Sequence, residues 1–365
     1  MTVSIGSLIQ DTDYNGLVSR VRAVLGNGTG QSGYGQVIPS LSTVTDNSTQ
    51  NISTTEWTNL RTQINRASRH QSNADQAMVA PTATRVIGAD QSGTSVTRVD
   101  TAGVITWTHV SPDTNMGVND YFTATSNIET NAGVSHPTQV TVTTGRQFAL
   151  STRTASWGGA GQTQTVNCTF EIIFDGGYNV TDSTGTTVVA SGADHRRHFF
   201  NTGGEIRISG INSSATNLKG SDWATMLSNM GQVILGKNAT TVTGSGRARN
   251  GSTDVDLNGS IDSALGNYQL TTSYQLIFQR NGGGVSGSYA ENTINVFARR
   301  NIAGNSITLL VELNDNDVGD QTGIGPGVDE QVVGNLGIGL DLRRSTGSFV
   351  SVPSPTVEVA DELFA

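Results

Sequence analysis

From about Thr94 onward the chain is a succession of short runs rich in β-branched and aromatic residues. VITWTHV, TQVTVTTG, TVNCTFEIIF, TTVVASG and GEIRISGI lead, and NYQLTTSYQLIFQR, NTINVFARR, SITLLVELND and EQVVGNLGIGLDLRR follow. Branching at Cβ suits a pleated, half-buried surface and crowds a helix, so each run reads as a strand. Asp175-Gly176-Gly177, Asn201 through Gly204 and Asn281 through Gly284 supply turns between them. Charged residues are only 14% of the chain and hydrophobic ones 35%, the difference being filled by Gly, Ser, Thr and Asn rather than by helix formers. The expected fold class is therefore mostly β: antiparallel β-sandwich-like domains preceded by a short N-terminal pair of helices.

That pair stands out by its period. In DTDYNGLVSRVRAVLG the apolar residues Tyr14, Leu17, Val18, Val21, Val24 and Leu25 recur on one helical face, with Asp11 or Thr12 as cap and Gly26 as stop. In STTEWTNLRTQINRASRHQ, Ser53 and Glu56 have capping-box spacing and Trp57, Leu60 and Ile64 form a stripe. The aperiodic, Gly- and Ser-rich segment between them, residues 26–53, reads either as a loop or as a piece laid on a neighbouring subunit. One more helix is expected at SDWATMLSNMG, capped by Ser221 and ended by Gly231. At 365 residues the chain exceeds one core. The expected domains are a helical attachment region at 1–71, a β-rich domain at 72–240 and a second β-rich domain at 241–365, the last boundary falling in polar KNATTVTGSGRARNGSTD.

Net charge is −9 and the 21 basic residues are scattered, which argues against a nucleic-acid backbone as partner. MTVSIGSLIQ lacks the basic stretch and apolar run of a secretion signal, and no window is apolar enough for membrane insertion. The single cysteine, Cys168, lies in a strand and reads as a small buried apolar residue of a chain made in a reducing cytosol.

ADHRRHFFNTGGEIRISG, from Ala193 to Gly210, together with YNGLVSRVRAVLGNGTGQSGYGQ, EWTNLRTQINRA, DWATMLSNMG, ITLLVELNDND and VSVPSPTVEV, resembles virion structural proteins of marine tailed bacteriophages. The resemblance is spread over most of the chain. It implies a component of the neck, tail or appendages, made in the host cytoplasm and working in the virion. Its partners would be copies of itself, as a homo-oligomer, and other virion proteins. It brings no catalytic motif.

The residues offer few sites. DVDLNGSID places Asp254, Asp256, Asn258 and Asp262 as in the first half of a calcium loop, but Leu265 stands where the bidentate Glu belongs, so the alternative is an ordinary Asn258-Gly259 hairpin turn. Asp194, His195, Arg196, Arg197 and His198 suggest a metal or acid–base site, but on a strand the two histidines point to opposite faces. The cluster then reads as a polar edge before a hairpin of Phe199-Phe200 and Glu205 to Ile208. The carboxylates Glu312, Asp315, Asp317, Asp320, Asp329 and Glu330 read as a solvated acidic loop rather than a glycosidase pair. No nucleophile elbow and no phosphate loop occurs. The expected function is a non-enzymatic structural role without a cofactor. The alternatives are a carbohydrate-binding receptor adhesin of the tail, using Trp107, Trp157 and Tyr178 on host surface glycans, and a polysaccharide depolymerase.

Overall fold

A computed structural model describes residues 11–44, 52–78, 80–81, 95–101, 104–110, 117–249, 265–282, 291–316 and 330–362. In chain order the elements begin with α1 (Asp11–Leu25), α2 (Thr54–Ser72), β1 (Ser95–Thr101), β2 (Val104–Val110), α3 (Val118–Thr130), β3 (Val140–Val142), β4 (Ala149–Arg153) and β5 (Thr165–Ile173). They continue with β6 (Asn179–Thr181), β7 (Thr187–Val189), α4 (Gly192–Asn201), β8 (Glu205–Ser213), α5 (Leu218–Met230), β9 (Val233–Leu235), β10 (Thr240–Val242) and β11 (Arg247–Ala248). Last come β12 (Gln275–Asn281), β13 (Thr293–Arg300), β14 (Ser306–Asn314), β15 (Asn335–Ser345) and β16 (Thr356–Glu362). The fold is mostly β with antiparallel sheets, and five α-helices occur among the described residues. It divides into two compact units that are discontinuous in sequence. Unit 1 is residues 1–140, 177–190 and 345–352; unit 2 is 141–176, 191–344 and 353–365.

In unit 1 the expected helix pair forms and acquires a third member. Ser53 sits in extended backbone, its hydroxyl accepts from the Glu56 amide, and Glu56 accepts in return from the Ser53 amide, so two otherwise orphaned donors at the start of α2 are satisfied. Tyr14 of α1, Trp57 of α2 and Tyr121 of α3 meet edge to face, with ring centroids 5.3 and 4.9 Å apart. Leu17, Val18, Val21, Leu60, Ile64 and Ile128 close around them, fully buried. The two apolar stripes are thus consumed by α3, and a bidentate pair from Arg20 to Glu129 ties α1 to α3 at the rim. α3 is absent from the sequence-based expectation because VNDYFTATSNIET is rich in Thr and Asn, which are poor helix formers; Val118, Tyr121, Phe122, Thr125 and Ile128 nevertheless keep helical spacing and all are buried.

Of the segment left open at 26–53, residues 26–44 pack onto their own helices. Tyr34 is fully buried against the His70 ring, and Ile38 and Leu41 join the same core. The small hairpin β6–β7 fastens this loop: the Asn27 amide donates to Thr181 O, the Thr181 amide donates to Gln36 O, and the Ile38 amide donates to the Thr181 hydroxyl. β1 and β2 pair antiparallel from Ser95↔Val110 to Thr101↔Val104.

Unit 2 holds two six-stranded sheets. The first runs β10-β9-β8-β15-β3, with β4 also paired to β15; the second runs β11-β12-β13-β14-β5-β16. The polar stretch near 235–250 carries the β9–β10 hairpin and β11. Helix α5 lies against β8, where Gly210 permits the approach: a Cβ there would come 2.6 Å from Leu227 Cδ2 and 2.9 Å from Ile338 Cδ1. α5 begins at Leu218, earlier than expected, because the Asn217 side chain rather than Ser221 accepts from the first-turn amide of Gly220; Gly231 follows its end as expected. In the second sheet β5 alternates strictly, Val166, Cys168, Phe170 and Ile172 being buried and Asn167, Thr169 and Glu171 partly exposed. Ile307, Leu309, Val311 and Leu313 of β14 and Ile294, Val296 and Ala298 of β13 are buried in register with them.

A second local expectation is overturned as well. Residues 192–201 are the helix α4 and not a strand leading into a hairpin. Ser191 and Asp194 form a capping box, and the i, i+3, i+4 set His195, His198 and Phe199 becomes one buried face. Phe199 and Phe200 pack on Phe174 at centroid distances of 5.6 and 6.3 Å, and Thr202 caps the helix before β8 begins. Among the described residues no helix is long and apolar enough to cross a membrane.

Candidate interaction face

The outward row of the second sheet is set by register. Arg299 on β13 stands opposite Thr308 on β14, Thr308 opposite Glu171 on β5, and Glu171 opposite Glu358 on β16. Because side chains alternate along a strand, these four share one face with Thr169 and Leu310, one pair further along. An open groove of about 830 Å³ lies here, lined by Thr169, Glu171 and Thr308 from the sheet, by Ala360 of β16, and by Thr272 and residues 299–303.

The turn between β13 and β14 forms one wall, and its own hydrogen bonds fix it. The Asn301 carboxamide accepts from the amides of Asn305 (3.0 Å) and Ser306 (3.2 Å) and donates to Asn305 Oδ1 (2.6 Å), while the Gly304 amide closes the turn on Asn301 O. On this mount Ile302 is 90% exposed. Beside it the Arg299 guanidinium lies 4.4 Å over the Tyr274 ring, and Arg300 donates through Nε to Leu270 O. The face therefore combines a rigid apolar tip, an Arg–Tyr stack whose guanidinium keeps free edges for acceptors, and hydroxyl and carboxylate acceptors on the sheet. Among the described residues, Glu171 is the one carboxylate lining the groove. Further along the same strand face the half-buried Glu312 carboxyl has its pKa raised by loss of solvent.

Asp254, Asp256, Asn258 and Asp262 lie outside the described residues, as do Asp317, Asp320 and Asp329. The rest of the acidic run is not solvated as a loop: Asp315 is fully buried against Lys219, and Glu330 accepts from the Lys219 amide at 3.3 Å. Trp157 is 2% exposed and packs on Trp223 with centroids 4.9 Å apart, so it offers no ring face to a sugar. Tyr178 is half-buried, and the side chain of Trp107 lies outside the described residues. Among the described residues no group of three or more His, Cys, Asp or Glu is placed to hold a metal ion. Sequence reasoning passed over Ile302, whose only signal is an apolar residue inside the turn sequence NIAGN.

His195 has a structural role. The Gly176 amide donates to its Nδ1 at 3.3 Å and its Nε2 contacts Pro353 O at 3.0 Å, which fixes the neutral ring with the proton on Nε2. Burial holds its pKa below the ordinary value of 6.5, outweighing the carbonyl of Pro353 and the charge of Asp175. The unfolded chain then takes up the proton more readily than the folded one. The associated stability is complete above the unfolded value and is lost as pH falls through that value towards the lower folded one. Denaturant midpoints measured from neutral pH to about pH 5 should fall in the native chain and fall less steeply in His195→Gln. Equal slopes would show that His195 is not the group responsible.

Scans against protein-family models, curated proteins and solved structures find no match to this chain.

Proposed function

We propose that the chain is a non-enzymatic structural protein of a tailed-phage particle, part of the neck, tail or its appendages, held in the virion by contacts with copies of itself and with other particle subunits. The observation that carries this reading is the Ile302 tip. A single exposed apolar residue is ordinary on a protein surface. This one differs in its mount: three hydrogen bonds to the Asn301 carboxamide hold the turn, so little freedom is lost when a partner covers it. Arg299 and Tyr274, residue types enriched in the cores of protein interfaces, stand next to it. The blocks quoted above, spread in order along the chain, support the same reading. The two six-stranded sheets are read with it as an antiparallel sandwich-like body, a reading supported by the in–out alternation of β5.

Ile302→Asp tests the proposal. Since Ile302 makes no core contact, the substitution should leave unfolding free energy within about 0.5 kcal/mol of the native chain. The native chain should self-associate at micromolar concentration in light scattering, and the variant should not. Equal oligomer masses for the two, at equal stability, contradict a contact through this tip.

A further inference from the structure

Lys219 and Asp315 form a contact that surface ion pairs do not resemble. Both side chains are 0% exposed, and Nζ lies 2.6 Å from Asp315 Oδ2. Nζ also donates to Gly158 O at 3.1 Å, which orients the amine along the carboxyl group. Each member is fixed by its own element. Lys219 is in the first turn of α5, held by the Asn217 cap; the Asp315 amide, directly after β14, donates to Gln164 O at 2.8 Å. Gly158 has φ +75, and a Cβ there would strike Asp315 Oδ2. The backbone at 158 has therefore closed down on the carboxyl group as far as the absence of a side chain allows. Trp157, one residue before Gly158, and Trp223, one helical turn after Lys219, are also buried, their rings 4.9 Å apart.

Two unlike charges without solvent are a poor arrangement. Passing one proton from Nζ to Oδ2 across the 2.6 Å contact turns the ion pair into a free amine against a carboxylic acid, the forms that amide chemistry requires. That neutral pair, held in contact with no competing water, is also the reactant pair for amide formation, and enforced proximity replaces a bimolecular encounter.

We propose that Lys219 and Asp315 condense to an intramolecular isopeptide bond. The ammonium proton moves to the Asp315 carboxylate. The Nζ lone pair then attacks Cγ, the Cγ–OH bond breaks, and the hydroxyl leaves with one Nζ proton as water. The product is a secondary amide between Nζ and Cγ whose remaining N–H can still face Gly158 O. One bond forms, one molecule of water is lost, and no oxidant, reductant or further reactant takes part. The cross-link joins α5 to the end of β14 and closes a long loop of unit 2, which constrains the unfolded chain.

The test is the intact mass of the denatured full-length chain. The expected result is a species lighter than its sequence by one water, and a tryptic digest in which the Lys219 and Asp315 peptides appear as one branched product resistant to reductant. Lys219→Arg keeps the charge but removes the primary amine, and should restore the full sequence mass. Loss of water that persists in Lys219→Arg would place it elsewhere and overturn the assignment. So would a native chain that has the full mass and releases the two peptides separately, a reading that does not depend on whether any variant folds.

Discussion

Asp315→Ala is expected to destabilise unit 2 by about 3–5 kcal/mol, because it takes the carboxyl partner, and with it the proposed cross-link, from a Lys219 amine that has no exposure and keeps Gly158 O as a backbone acceptor. The size follows from the asymmetry of buried charge. A well-placed pair adds little over an apolar substitute, but removal of one partner leaves the desolvation penalty of the other uncompensated. Hydrogen exchange locates the effect: amides of α5 and β14 should lose protection, whereas those of α1 and α2 in unit 1 should keep theirs. An Asp315→Ala chain with native denaturant midpoint and native protection in α5 would show that the pair contributes nothing to the fold.

Trp57→Ala should cost unit 1 about 3–5 kcal/mol, the range for deleting a large buried aromatic side chain. Trp57 is the middle ring of the Tyr14–Trp57–Tyr121 stack, so its loss opens a cavity that three helices line, and none of them can collapse into it without releasing another. Protection should fall together in α1, α2 and α3. A loss confined to α2 would mean that α3 does not depend on the stack, contrary to the burial of Tyr121 and Ile128.

How much of this was legible in the sequence depended on the range of the interaction that decides each element. The α1 stripe, the Ser53–Glu56 box of α2 and the Gly231 stop after α5 are local signals, and the structure uses each of them. The alternation of TVNCTFEII was equally readable, because a period of two over nine residues leaves few other structures. α4 misled for a local reason as well: Phe199-Phe200 and the following Ile206 and Ile208 are β-type residues, and they outweighed the Ser191-to-Asp194 spacing that caps the helix. α3 was hidden by propensity and is held by tertiary packing against Trp57.

The sites fall on the far side of that divide. Lys219 and Asp315 come together only through the path of β9 to β14, so nothing near either residue announces the other. The acidic run was assigned to water on composition, and composition does not report that Asp315, directly after β14, is buried inside the unit. Ile302 could be read as part of a turn, but its exposure and the rigidity of its mount follow from the Asn301 carboxamide bonds, which a sequence does not display.

The proposed particle role is decided by a reconstruction of a tailed-phage particle that contains this chain. In it the turn from Asn301 to Gly304, with Ile302 at its tip and Arg299 stacked on Tyr274 beside it, should be covered by a neighbouring subunit. A particle in which this turn projects into solvent, with every subunit contact made elsewhere, would contradict it.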